Sequence, residues 1–361
     1  MILLVTNTLQ VAPSGGRELL CKLNHDVLKD IYGDQLLVVE LSNQSRVSFK
    51  ARLNAFKGHI DGLSKAVINN TLRAIQDNNV SKVFVDGSNL GAFVKASKNS
   101  FPQLEISTFF HNVEARFFWG AFKQTRSPRA LAVFLANYLA EKKSVRYSDK
   151  LLCLSERDSR LLHKFYSRTA THISPMALQD KLPTCLELSF DNKPERFALF
   201  VGGVFYANRA GIAWFVEHVV PHMGMKICIV GRGFEDLKAE LERDGRVEVV
   251  GAVDSLAQWY IDAHVVIAPI FDGSGMKTKV AEALMFGKKI VGTPEAFSGY
   301  EDVADLVGWV CETAEDFVAA IEQAGKLIEQ SYDPDLRALY VEKYSYSAAR
   351  SRMAMIIGAV S

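Results

Sequence analysis

The stretch Ala268-Pro-Ile-Phe-Asp-Gly-Ser-Gly-Met-Lys-Thr-Lys-Val-Ala-Glu-Ala-Leu-Met-Phe-Gly-Lys-Lys-Ile-Val-Gly-Thr293 decides how the chain is read. An apolar run ends near Ile267, a glycine-bearing loop spans Asp272 to Gly275, and the spacing predicts a helix from about Met276 to Phe286. A second apolar run then covers Lys289 to Val291. Strand, loop, helix and strand in that order make one βαβ unit of a parallel sheet. Such a loop gathers free backbone amides at the end of a sheet, a geometry that binds phosphate. Gly273 and Gly275 let a ligand approach the backbone, and Ser274 is placed to cap the helix. Lys277 and Lys279, expected near the surface, add cations beside the positive helix end and the amides of Gly273 to Met276. Glu282 follows Lys279 by three residues on the same helix face and can accept from the hydroxyl pair of a ribose. The bland reading is a turn, two solvated lysines and a surface glutamate, but the agreement of so many parts favours a diphosphate and ribose site.

The same alternation extends outward in both directions. Phe197 to Val201, Lys226 to Val230, Val247 to Val250 and Val265 to Ile267 read as buried strands before the quoted stretch, and Ser347 to Val360 as a closing helix. In the first half, Ile2 to Val5, Leu36 to Leu41, Lys82 to Val85, Ile106 to Phe110 and Leu151 to Leu154 have strand length. Helical spacing marks Arg17 to Asp30 and Ser64 to Asn78. The polar stretch Ser189-Phe-Asp-Asn-Lys-Pro-Glu-Arg196 breaks periodicity and reads as a linker. The expectation is an α/β protein of two Rossmann-like, doubly wound domains facing a cleft. An N-terminal domain would span 1–190 and a C-terminal domain 191–346, with a closing helix over 347–361 that could pack back on the first domain.

A length of 361 residues suits two such domains. Hydrophobic residues at 48% and charged residues at 23% are ordinary for globular proteins and exclude a disordered chain. The start carries no basic leader, no segment approaches the length of a membrane span, and the five scattered cysteines lack a zinc-like spacing; a cytoplasmic protein with reduced thiols is expected. Charge is uneven. Residues 1–190 hold 25 Lys and Arg against 16 Asp and Glu, a net +9, and the remainder 17 against 25, a net −8. The basic half could face a membrane surface, a phosphate-bearing acceptor or a nucleic acid, or simply attract the acidic half.

The quoted stretch resembles the retaining family-4 glycosyltransferases and their relatives of the GT-B fold, over most of the C-terminal half and more weakly the N-terminal half. The likeness extends to Phe200-Val-Gly-Gly-Val-Phe-Tyr-Ala-Asn-Arg-Ala-Gly-Ile-Ala-Trp-Phe215, to Ile229-Val-Gly-Arg-Gly233 and to Val249-Val-Gly-Ala-Val-Asp254. It implies a nucleotide diphosphate sugar as donor, with Arg209 near the diphosphate and backbone groups of Gly251 and Val253 at the base. A saccharide, lipid-linked or other hydroxyl would be the acceptor, with the N-terminal domain as the acceptor side and the C-terminal domain binding the donor. The resemblance implies no metal, no cofactor and no nucleic acid, and a role in surface polysaccharide or glycoconjugate synthesis. One departure stands out: the family's paired glutamates, eight positions apart, would need an acid at 274, where this chain has Ser274. Retention of anomeric configuration therefore follows by analogy alone.

In the first half, Gly15 and Gly16 turn the chain after the first strand and, by the resemblance, approach the donor phosphates. Arg17 reads as a surface cation before it reads as a phosphate contact. His111 would emerge at the carboxyl end of a parallel strand, where ligands of such sheets bind. The resemblance puts it against donor sugar or acceptor, with Glu114 orienting the site or pairing with an arginine. Arg116 to Arg129 interleaves aromatics with cations, which suits a membrane interface, a lipid pyrophosphate or nucleic acid, or else core aromatics with solvated cations. Asp333-Pro-Asp335 is a helix start rather than a metal site. His111, Lys277 and Glu282 are thus the expected catalytic residues. The rival readings are a nucleotide-sugar epimerase of the same fold and a noncatalytic binding or scaffold protein.

Overall fold

A computed structural model describes residues 1–10, 15–42, 54–183, 196–273, 275–328 and 331–358. The chain forms two compact units, one of Met1–Met176 with the chain's end from Ala349, the other of Ala177–Ala348. Most of the stretch read as a linker, residues 189–195, lies outside the described residues.

The first unit holds β1 (Ile2–Asn7), β2 (Leu36–Leu41), β3 (Lys82–Asp86), β4 (Glu105–Phe110), β5 (Lys150–Cys153) and β6 (His172–Ile173). They form one parallel sheet in the order β2-β1-β3-β4-β5-β6. Ile2 to Val5 are at most 1% exposed, which is why β1 reads as an unbroken apolar run: parallel strands are covered on both faces. The helices of eight residues or more are α1 (Gly16–Tyr32), α2 (Lys65–Asp77), α3 (Gly91–Ser100), α4 (Glu114–Thr125), α5 (Pro128–Tyr147) and α6 (Glu156–Tyr166). Ser64 caps α2 by accepting from Val67 N at 3.2 Å, where the sequence pattern placed the helix start. At Gly91 a Cβ would stand 1.9 Å from Ala140 O, so α3 and α5 touch backbone to backbone only because that side chain is missing.

The second unit holds β7 (Phe197–Val201), β8 (Lys226–Val230), β9 (Val247–Gly251), β10 (Val265–Ala268), β11 (Ile290–Gly292) and β12 (Gly308–Val310), parallel in the order β12-β11-β10-β7-β8-β9. Its longer helices are α7 (Tyr206–His218), α8 (Thr278–Met285) and α9 (Ala314–Leu327). The core under them includes Phe200, Ile212, Phe215, Ile229, Phe234, Ile267 and Phe317. Lys288 lies fully buried and donates to Ile261 O at 2.9 Å and Ala263 O at 2.8 Å. It satisfies carbonyls at the end of the short helix Ala257–Asp262, so it serves packing. Asp333 caps Pro334–Leu339 by accepting from Asp335 N and Leu336 N, as expected of the Asp-Pro-Asp run.

The closing helix α10 (Tyr346–Ile357) ends on β3 and β5 of the first unit. Lys82 Nζ donates to Ile357 O and Gly358 O, and Lys150 Nζ to Ile356 O at 2.8 Å. These cations sit at the negative end of the helix and satisfy its last carbonyls. Among the described residues no helix is long and apolar enough to cross a membrane.

Candidate functional site

In a doubly wound sheet, ligands bind beyond the carboxyl ends of the strands, where the strand order reverses direction. In the second unit that point lies between β7 and β10, with β8 and β9 on one side and β11 and β12 on the other. The loops there are fastened by backbone. Gly202 N donates to Val230 O at 3.0 Å, Val204 N to Arg232 O at 2.9 Å and Gly231 N to Gly251 O at 2.7 Å. A Cβ on Gly231 would stand 1.9 Å from Gly202 O, so the loops after β7 and β8 meet only through glycine.

Lys279 projects into this gathering from α8. It is 7% exposed, its Nζ donates to Asn208 Oδ1 at 3.2 Å, and it lies 4.3 Å from the centroid of the Phe200 ring. A Cβ on Gly202 would stand 3.4 Å from the same ammonium. Burial pushes the Lys279 pKa down to about 7, with Glu282 opposing the fall and Lys277 adding to it. Among the described residues no carboxylate forms an ion pair with it. A buried cation in direct contact with an amide oxygen and a ring face, and attracted by Glu282 without an ion pair, is under-compensated, and an anion is the group that completes it.

Lys277 is differently placed. Its Nζ donates to Gly275 O and to Glu295 Oε1, both at 2.9 Å, and Tyr300 Oη donates to its carbonyl at 2.9 Å. Lys277 is also the N-cap residue of α8, which begins at Thr278 and not at Met276. Gly273, Gly275 and Met276 therefore belong to a loop, and Ser274, expected at the cap, lies outside the described residues. Lys279 is buried, which corrects the expectation of two lysines near the surface. Glu282, partly exposed, accepts from Tyr260 Oη at 3.0 Å; burial raises its pKa, opposed by Tyr260, Lys181 and Lys279.

The first unit reverses between β1 and β3. There Asp86, fully buried at the end of β3, accepts from Thr6 Oγ1 at 2.7 Å on Oδ2 and from Asn24 Nδ2 at 2.9 Å on Oδ1, and His111 Nε2 lies 2.6 Å from the same Oδ1. Burial acts to raise the Asp86 pKa, but the His111 ring and these hydrogen bonds prevail and hold it below the usual range. Cys21, whose thiol burial and Asp86 push up to about 12, completes a trio with Asp86 and His111 whose ligand atoms lie within 4.8 Å of one another. The hydrogen bonds among Thr6, Asn24, His111 and Asp86 account for this cluster as a polar network that orients the imidazole. Beside it, Arg17 Nη2 pairs with Asp61 at 2.7 Å and lies close to Gly87. Burial, then Glu141, push the Glu114 carboxyl up to about 8. Glu141 accepts from Glu114 N and Ala115 N at 3.0 Å each and from Tyr166 Oη at 2.7 Å, tying down the start of α4.

The second unit thus brings Lys279 to the Gly202 loop, with the Gly251 loop fastened to it through Gly231. Arg209 is exposed on the first turn of α7, and the side chain that meets the lysine is its neighbour Asn208. Val253 is half-buried two residues beyond β9. In the first unit Gly15, whose N–H is accepted by Glu18, and Gly16 open α1 from the β1 side. Sequence reasoning missed Asn208, Tyr260, Glu295, Asp86 and Glu141. Only Asn208 left a local signal, as an inward-facing polar residue in the turn after a glycine pair.

The comparisons with known proteins follow the same division. Across the chain the structure is similar to sucrose-phosphate synthase (tll1590) from Thermosynechococcus elongatus, with a TM-score of 0.72, 14% identity, and coverage of 99% of this chain and 98% of that one. It is similar to Anabaena Alr3699/HepE in complex with UDP, with a TM-score of 0.69, 11% identity and coverage of 99% and 100%. It is similar also to the lipopolysaccharide outer core galactosyltransferase WaaB in its apo form, with a TM-score of 0.65, 13% identity and full coverage of both chains. No curated protein sequence matches. The chain therefore has the GT-B fold, two Rossmann-like α/β units, and residues 195–326, which hold the glycine loops and both lysines, match the family described as Glycosyl transferases group 1.

Proposed function

We propose that this chain is a nucleotide-sugar-dependent glycosyltransferase, moving a sugar from a nucleoside diphosphate to an acceptor hydroxyl. The observation that carries the reading is Lys279, a buried ammonium that among the described residues forms no ion pair with a carboxylate, at the strand-order reversal of a sheet. Breaking the bond between sugar and phosphate places negative charge on the departing diphosphate, and preorganised cations and amides stabilise charge that develops there. Lys279 and the loop amides of Gly275 and Met276 supply them. Lys277 joins once the diphosphate competes with Glu295 for its ammonium. Glu282, fixed by Tyr260, receives the ribose, and the Gly251 to Val253 loop the base. The Anabaena neighbour holds UDP, which supports a nucleotide in this fold.

His111, oriented by Asp86, contacts the transferred sugar or the acceptor; in a retaining reaction the leaving phosphate receives the acceptor proton, and Glu114, whose carboxyl burial and Glu141 push up to about 8, is the base only of an inverting one. Retention, independence of metal, a place at the inner face of a membrane and a role in polysaccharide or glycoconjugate synthesis complete the proposal. The test is melting temperature with UDP, GDP, ADP and dTDP, followed by donor turnover in the presence of EDTA. One nucleotide should raise the melting point of the wild type and not of a Lys277→Ala, Lys279→Met double variant. No shift with any nucleotide would sink the reading. Donor conversion without an acceptor would mark an epimerase, and binding without turnover a scaffold.

A further inference from the structure

Beside the lysine loop the second unit carries a pocket of about 370 Å³ that none of the above uses. Its walls are Tyr206 and Trp214 of α7 and Phe271 and Asp272 of the loop after β10. Phe271 meets Trp214 edge-on, with ring centroids 4.6 Å apart and planes at 74°, so the two rings form a fixed corner. Tyr206 is 62% exposed and Phe271 48%, large apolar surfaces left open to water. Ala210 and Gly211 keep the floor low. Gly211 must be small, because a Cβ there would stand 1.8 Å from Pro269 O. Asp272 brings a carboxylate to the wall, accepting from Gly273 N at 2.8 Å and Tyr206 Oη at 3.4 Å.

We propose that this pocket binds one pyranose ring of the saccharide acceptor, an assignment that rests on the glycosyl-transfer reading for the source of that ring. Pyranoses present an apolar C–H face that packs on aromatic rings and hydroxyls that donate to a carboxylate, and this corner offers both. No lysine or arginine lines it, so it does not suit a phosphate. A wholly apolar occupant would strip water from Asp272 without replacing its hydrogen bonds. Asp272 directly precedes Gly273, so an occupied pocket adjoins the loop assigned to the diphosphate.

Saturation-transfer NMR with the methyl α-D-pyranosides of glucose, galactose and mannose, and with maltose, tests the proposal. At least one should receive magnetisation on its ring C–H protons from the wild type and equally from the Lys277→Ala, Lys279→Met variant. Binding should weaken about tenfold in Phe271→Ala and in Asp272→Asn, both at exposed positions and checked for an unchanged melting point. Silence from all four sugars, or equal signals in both pocket variants, would overturn it. So would concentration-dependent sedimentation lost in Phe271→Ala, which would make the pocket a contact between copies. The donor reading fails separately, by absence of a nucleotide shift in a wild type that still binds sugar.

Discussion

Replacing Lys279 by methionine should make the protein more stable, by an amount that depends on pH. Burial lowers this ammonium from an ordinary 10.5 to about 7, a fall of roughly 3.5 units, or about 5 kcal/mol at ~1.36 kcal/mol per unit. Methionine fills the space with a side chain of similar length and carries no charge to desolvate. A gain of about 4 kcal/mol at pH 7 results, where the folded lysine is half-charged. The sign in pH follows from proton binding: between about 7 and 10.5 the unfolded chain binds this proton and the folded chain does not. Wild-type stability therefore climbs with pH across that window, and the advantage of Lys279→Met shrinks toward zero near pH 10. Urea unfolding of both proteins at pH 7, 8, 9 and 9.5 measures it, and comparing them cancels groups titrating alike in each. A variant less stable at pH 7, or an advantage that stays constant to pH 9.5, would refute the reasoning. The native lysine would then be shown to have no electrostatic cost to recover on binding an anion.

Two further outcomes are expected. Glu141→Ala should cost about 3 kcal/mol, because the amides of Glu114 and Ala115 and the Tyr166 hydroxyl lose their shared acceptor, while Glu141→Gln should recover part of it; a urea midpoint within experimental error of the wild type for both would contradict the assignment. Phe117, Leu135 and Leu139 are exposed on α4 and α5 with the cations Lys123, Arg126 and Arg129 also exposed, so the protein should co-sediment with phosphatidylserine vesicles at low salt and less at high salt. Absence of binding at both, or no loss in Phe117→Ser with Leu139→Ser, would remove the membrane from the proposal.

What was legible in the sequence was whatever burial writes locally. Strands covered on both faces read as short continuous apolar runs, so β7 and β8 match the expected ranges, as does the edge strand β2 although Val38 and Glu40 are exposed, whereas the two-residue β6 and the partly exposed three-residue β12 leave no pattern. Glycines that supply a positive φ, Gly273 at 151° and Gly275 at 68°, marked the loop before α8, and Asp333 before a proline marked its own cap. Tertiary structure alone decided what each buried group meets. Lys277 and Lys279 look alike in sequence, yet one turns to Glu295 and the other lies between Asn208 and Phe200, because the cap sits at Lys277 and sets the register of α8. Asp86 and His111 are 25 residues apart and meet because their parallel strands are neighbours; Glu141 reaches the start of α4 from 26 residues away. The local apolar pattern marks which strands will be buried, but the burial of a single lysine such as Lys279, and the partners that set its charge and reactivity, come from strand order and helix packing.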